Sequence, residues 1–145
     1  MTSDVFDRDA AAARVAGLLL DIGAVHFNAQ TPYIFTSGWA SPVYIDCRKV
    51  ISFLEPRREI IALGAAQLAA AIDVDAVDYI AGGETAGISY AAWLSETLGK
   101  PMLYVRKKPK GFGRNARIEG SFPEGARVLL VEDLATDGAS KVSFA

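Results

Sequence analysis

The sequence is short of the residues from which many kinds of site are built. A single cysteine, Cys47, excludes an internal disulfide and a cysteine-built zinc site, and fits a reducing compartment. The single histidine, His26, lies too far in sequence from the loops described below to be assigned to catalysis, and reads as structural. No apolar run is long enough for a bilayer: the longest, over 60–72, is interrupted by Gln67, whereas a span needs about 20 residues. The first seven residues are acidic and carry no apolar core of a secretory signal, so none is expected. A net charge of −2 excludes a uniformly basic nucleic-acid coat. What remains, at 145 residues with 51% hydrophobic and 22% charged, is the composition of a globular protein. One domain over 1–145 is expected, cytoplasmic, with neither nucleic acid nor membrane as partner.

The near-neutral total hides an asymmetry. Six basic residues and no acidic one lie between Arg106 and Arg117: Arg106, Lys107, Lys108, Lys110, Arg114 and Arg117. The remainder of the chain has nine basic residues against 17 acidic ones. Pro109, Gly111, Gly113 and Gly120 make the stretch a loop, so its charges suit a small, highly charged anion better than a duplex.

Periodicity predicts helices over 9–20, over 56–72 with Pro56 as first residue, and over 86–98 closed by Gly99. It predicts strands over 43–46, 77–81, 102–105 and 127–131, a glycine loop over 82–85, the basic loop over 106–120, and a further helix opening at Ala139. Apolar strands alternating with helices indicate an α/β fold with a doubly wound, mostly parallel sheet, whose ligands bind beyond the carboxyl ends of the strands. The loops over 82–87, 106–120 and 132–140 would then share one rim.

The most informative stretch is Val128-Leu129-Leu130-Val131-Glu132-Asp133-Leu134-Ala135-Thr136-Asp137-Gly138-Ala139-Ser140. A strand delivers two adjacent carboxylates, and small residues then turn into a helix whose first N–H groups suit a phosphate. Carboxylates repel phosphate, so Glu132 and Asp133 read as acceptors for a vicinal diol or as help in placing a hydrated Mg2+.

These residues resemble the signature of the type I phosphoribosyltransferases. Within them, Phe35-Thr36-Ser37-Gly38-Trp39-Ala40-Ser41-Pro42-Val43-Tyr44-Ile45-Asp46 is similar to the Ser-Gly-x-x-Ser-Pro-x-Tyr-x-Asp segment of the orotate phosphoribosyltransferases. Gly82-Gly83-Glu84-Thr85-Ala86-Gly87-Ile88 resembles their pyrophosphate loop, and Arg106-Lys107-Lys108-Pro109-Lys110-Gly111-Phe112-Gly113 their catalytic loop. The resemblance implies the type I phosphoribosyltransferase fold and transfer of phosphoribose from phosphoribosyl pyrophosphate (PRPP) to orotate. It assigns Arg106, Lys107 and Lys110 to catalysis and to the pyrophosphate, and Glu132 and Asp133 to the ribose hydroxyls. The PRPP-binding stretch continues through Leu134 and Ala135, with Thr136, Asp137, Gly138, Ala139 and Ser140 holding the 5-phosphate and Thr136 also near orotate. Mg2+ is implied as a cofactor held mainly through PRPP and pyrophosphate, with no protein metal ligands. A homodimer is implied, with the basic loop acting across subunits, and residues 1–55 form the base-binding part.

Four departures stand out. Phe112 replaces a His, Thr36 and Ala86 replace lysines, and the sequence ends at Ala145, before the family's C-terminal strands and orotate-binding Arg. Arg114 is expected to restore some of the lost positive charge. The alternatives are a non-catalytic PRPP-sensing regulator on the same fold, or a transferase for another base; the cationic loop favours the enzyme. A P-loop would need a Gly-Lys-Ser/Thr ending that the stretch over 82–87 lacks, and no Gly-x-Gly-x-x-Gly follows a strand. A receiver domain would open, not close, on the acidic strand. Tyr44 reads equally as a core residue or as a flank for a ring; Trp39 and Trp93 read as packing residues, with Trp39, in a turn, also placed to border a ligand, and Cys47 as structural.

Overall fold

The computed structural model describes residues 6–35, 37–109, 116–135, 142 and 144. The chain divides into two compact units, Asp7–Ile60 and Ile61–Ala145.

In the first unit, helix α1 (Arg8–Asp21) begins where the Asp7 carboxylate accepts a hydrogen bond from the Ala10 N–H, satisfying one of the donors a helix start leaves open. It ends at Ile22, and Gly23 then takes a left-handed φ of 66°. Strand β1 (Val25–Phe27) follows, then a small antiparallel pair, β2 (Tyr33–Ile34) with β3 (Ala40–Ser41), and then β4 (Val43–Ile45). Strand β4 returns antiparallel to β1, with His26 opposite Tyr44, and the Asp46 N–H extends the pairing to the Ala24 carbonyl at 2.8 Å. A 3-10 segment, Cys47–Ser52, buries Cys47 and Val50, and Lys49 donates to the Gly23 carbonyl at 2.9 Å.

Helix α2 (Leu54–Ala71) starts two residues before Pro56, not at it. The missing proline N–H costs nothing there, because first-turn amides have no partner within the helix. The Arg14 guanidinium grips the Glu59 carboxylate with two nitrogens, the second at 2.7 Å.

The second unit is built on one four-stranded sheet. Its strands are β5 (Tyr79–Gly83), β6 (Met102–Val105), β7 (Ile118–Glu119) and β8 (Val128–Val131), in the order β7-β6-β5-β8. Strand β5 runs parallel to both β6 and β8, and only β7 is antiparallel, so the sheet is mostly parallel as expected. The central strand buries Ile80 and Ala81; Ala81 joins Leu103 and Val105 in a core lined by Tyr79, Leu130 and Phe144. Helix α3 (Ala86–Leu98) packs on β5 through Gly87, Tyr90, Ala91, Leu94 and Ser95, which recur at the three-to-four-residue spacing of one helix face. Gly99 closes it in the left-handed conformation at φ 63°. The Asp78 carboxylate accepts from the Arg127 N–H at 2.7 Å, which helps fix the register of β8 against β5.

Three expectations require correction here. The strand expected over 77–81 lies at 79–83, so Gly82 and Gly83 belong to it and not to the loop. The basic loop ends earlier, because Ile118 and Glu119 pair with β6 as an edge strand. Trp39, expected to pack, is 75% exposed beside β3, whereas Trp93 packs edge-to-face on Tyr90 at 5.7 Å. The helix expected to open at Ala139 falls outside the described residues.

Candidate functional site

Parallel register brings the chemistry to one edge of the second unit. Gly83 lies opposite Val105 and Gly82 opposite Val131, so the segments that follow β5, β6 and β8 leave the sheet from the same rim. This is the edge at which open α/β sheets bind ligands.

The glycines at this edge serve close approach. A Cβ at Gly82 would lie 2.5 Å from the Gly87 carbonyl oxygen and 2.6 Å from Ile88 Cα, so strand β5 and the first turn of α3 are in backbone contact. A Cβ at Gly83 would fall on the Glu132 carboxylate, and one at Gly87 would come within 2.6 Å of both Glu132 Oε1 and the Val131 carbonyl. Between them the chain turns through Glu84 and Thr85, whose peptide bond is cis.

Glu84 ties this loop to the root of the cationic one. Its N–H donates to the Val105 carbonyl at 2.8 Å, and its carboxylate accepts from the Lys107 N–H at 2.8 Å. On the other side, the Arg106 N–H donates to the Arg117 carbonyl at 2.8 Å, and Arg117 Nε donates back to the Arg106 carbonyl at 3.2 Å. The cationic loop therefore leaves the sheet between two neighbouring antiparallel strands. Arg106 Nε donates to Glu119 at 2.8 Å, and the guanidinium lies 5.7 Å from the Tyr104 ring centroid, with Nη2 donating to its hydroxyl at 3.3 Å. The hydrogen bond to Glu119 is the main cause that holds the Arg106 guanidinium above its ordinary pKa. Lys107 and Lys108 are exposed.

Glu132 and Asp133 follow directly on β8 and are partly buried; Leu134 and Ala135, next along, are exposed. Of the residues singled out from sequence, the structure thus brings Arg106, Lys107, Glu132 and Asp133 to one rim. Lys110, Thr136, Asp137, Gly138, Ala139 and Ser140, with Thr36, Phe112 and Arg114, lie outside the described residues. Sequence reasoning missed Glu84, Glu119 and Tyr104. For Glu84 a signal existed, an acid inside a glycine loop; Glu119 becomes a partner of Arg106 only through the edge-strand pairing.

In the first unit, the Ser37-to-Asp46 motif forms a connected surface of its own. Ser41 Oγ donates to the Val43 carbonyl at 2.8 Å and accepts from the Val43 N–H. Tyr44 leans on Tyr33, with ring centroids 5.5 Å apart, and on His26 at 6.1 Å. Its hydroxyl accepts from Arg48 at 2.8 Å, and the same guanidinium pairs with Asp46. Tyr44 is half-buried, with an ordered hydroxyl, and His26 is an exposed strand residue.

A glycine turn, the root of the cationic loop and an acid pair share this rim, as the resemblance to the type I phosphoribosyltransferases implies. No family model matches the chain. It is 57% identical over 94% of its length to an orotate phosphoribosyltransferase of Cereibacter sphaeroides, of which it covers 59%. Among solved structures, it is similar to an orotate phosphoribosyltransferase from Aeropyrum pernix, with a TM-score of 0.73 and 30% identity, covering 90% of this chain and 70% of that one. It is also similar to a Leishmania donovani UMP synthase, with a TM-score of 0.73 and 30% identity, covering 91% of this chain and 27% of that one. The chain belongs to the orotate phosphoribosyltransferase family. It spans about three fifths of the length of the bacterial relatives it matches.

Proposed function

We propose that this chain takes part in transfer of the 5-phosphoribosyl group from PRPP to orotate, giving orotidine monophosphate and pyrophosphate. The observation that carries the reading is the register of β5, β6 and β8, which brings the glycine turn, the root of the cationic loop and the acid pair to one edge.

The reaction needs no protein nucleophile. The bond between the ribose anomeric carbon and the diphosphate oxygen breaks with its electron pair leaving on the diphosphate, and a ring nitrogen of the base bonds to that carbon as its N–H proton passes to the departing diphosphate. Positive charge builds on the sugar and negative charge on the leaving group, so catalysis consists of holding both partners, neutralising the diphosphate and excluding water. Arg106, Lys107 and Lys110 are assigned to the diphosphate, with Arg106 at the base of the cationic loop. Glu132 and Asp133 are assigned to the ribose hydroxyls, the PRPP-binding stretch continues through Leu134 and Ala135, and Thr136, Asp137, Gly138, Ala139 and Ser140 are assigned to the 5-phosphate, with Thr136 also assigned to orotate.

Among the described residues no three acidic, imidazole or thiol side chains converge to hold a metal ion. A Mg2+ would be carried chiefly by the oxygens of PRPP, with Glu132 and Asp133 as the carboxylates on the same rim. Bound there, it would supply further positive charge to the departing diphosphate. No helix among the described residues is long and apolar enough to cross a membrane. We assign the reaction to the cytoplasm, the base-binding part to residues 1–55, and the working unit to a homodimer in which the cationic loop serves the neighbouring subunit.

The test is to mix the full chain with PRPP, Mg2+ and orotate and follow loss of orotate absorbance. Loss that requires both PRPP and Mg2+, and no turnover of adenine, hypoxanthine or uracil, is expected. PRPP binding without consumption of any base would favour a sensing role instead.

A further inference from the structure

We propose that Gly83 and Gly87 form a notch that seats one oxygen of the Glu132 carboxylate, which makes Gly83 a positioning residue for sugar recognition. The inference rests on the proposed function for its ligand, and on geometry for the notch.

Glu132 is the first residue beyond β8, and its Oε1 is buried. The space that oxygen occupies is the space two absent side chains would fill. An ideal Cβ at Gly83 falls on Oε1, and one at Gly87 lies 2.6 Å from it. Both positions come from the segment read in sequence as an anion loop, and neither has a left-handed φ that would itself require glycine. Close approach is therefore the reason for glycine at these two places.

With Oε1 inside the notch, only the other carboxylate oxygen of Glu132 is left to offer a sugar hydroxyl. Its carboxylate plane is fixed by β5, α3 and β8 together, before any sugar arrives. The two acids then differ: Glu132 supplies one oriented acceptor, while Asp133 is not seated by these glycines. A diol needs two acceptors at fixed separation, and an oriented first acceptor lowers the ordering cost of binding. The glycine segment thus serves the ribose end of the substrate as well as the diphosphate.

The test is a double-mutant cycle on the full chain, with two readouts. Without ligand, Gly83→Ala is expected to lower Tm by at least about 5 °C, because the new methyl meets the carboxylate and the edge of Phe144, 2.6 Å away. Glu132→Ala in the same chain is expected to restore a large part of that loss, because it empties the notch. With PRPP and Mg2+, Gly83→Ala is expected to raise Kd about tenfold, and adding it to Glu132→Ala is expected to change Kd little further. Additive Tm effects would overturn the notch and leave the proposed function standing. Coupled Tm effects with an unchanged Kd for Gly83→Ala would overturn the positioning role. Coupled Tm effects in a wild-type chain that binds no PRPP would overturn the sugar assignment, and the positioning role with it, while the notch itself remained.

Discussion

Two Gly→Ala substitutions in this chain should have opposite signs, and the pair measures how closely α3 approaches β5. Gly64 lies on an exposed part of α2, and a Cβ there meets nothing within 4 Å. Alanine at such a site lowers the entropy of the unfolded chain and suits a helix, so Gly64→Ala should stabilise by up to about 1 kcal/mol. Gly82→Ala has the same entropic benefit but a collision that Gly64→Ala lacks. Its Cβ would lie 2.5 Å from the Gly87 carbonyl oxygen, 2.6 Å from Ile88 Cα and 2.7 Å from the Gly87 carbonyl carbon. All three are backbone atoms, so no side chain can swing aside, and α3 must lift off the central strand. Overpacking of this kind costs about 1–3 kcal/mol where side chains can adjust, and backbone contacts place it at the upper end, about 3 kcal/mol. With a urea m-value of about 2 kcal/mol/M, the midpoint should fall by about 1.5 M for Gly82→Ala and rise by up to about 0.5 M for Gly64→Ala. Urea melts followed by far-UV circular dichroism read both. Equal midpoints for Gly82→Ala and wild type would refute the backbone contact, and with it the rim geometry built on that contact.

Other expectations follow from the same geometry. The hydrogen bond from Arg14 holds the Glu59 carboxyl below the ordinary carboxylate pKa, so its contribution to stability is present above that ordinary value and is lost as pH falls through the lowered one. Glu59→Gln should therefore lose less stability than wild type between pH 7 and pH 3 in urea melts; parallel curves would contradict this. Glu84→Ala removes the acceptor for the Lys107 N–H and should raise the KM for PRPP about fivefold, the equivalent of about 1 kcal/mol, while Glu84→Gln, which keeps an acceptor oxygen, should stay near wild type. Equal KM values for the two variants would show that the link does not hold the loop root. Lys110→Ala should lower kcat by about 30- to 1,000-fold, or about 2–4 kcal/mol of barrier, with PRPP saturating. A rate within threefold of wild type would remove Lys110 from the reaction.

What could be read from the sequence divides along physical lines. Helix α3 was legible to the residue, because an apolar face at helical spacing ends on a glycine suited to the left-handed conformation. The parallel core strands were legible as short apolar runs, apart from a two-residue shift at β5. There Gly82 and Gly83 mimic a loop, yet Gly82 pairs with both neighbouring strands and Gly83 with β6, which keeps them in the strand. Strand β7 was not legible: two residues carry no period, and Ile118 and Glu119 become a strand only because β6 offers a free edge. The same pairing hid the fate of Arg106, whose partner Glu119 lies 13 positions away. Pairing of β1 with β4 was likewise hidden, since it joins three-residue segments across a long connection. The acid pair and the cationic run were visible as charge patterns; the glycines that seat Glu132 were visible only as a loop, because close approach is a property of the folded neighbour.

One edge of one sheet is proposed to receive PRPP. The most direct measurement is a crystal structure of the full chain grown with PRPP and Mg2+. It should show the sugar hydroxyls against Glu132 and Asp133, and the diphosphate between the Glu84–Thr85 turn and Lys107. Density for PRPP elsewhere on the molecule, or none at saturating concentration, would contradict it.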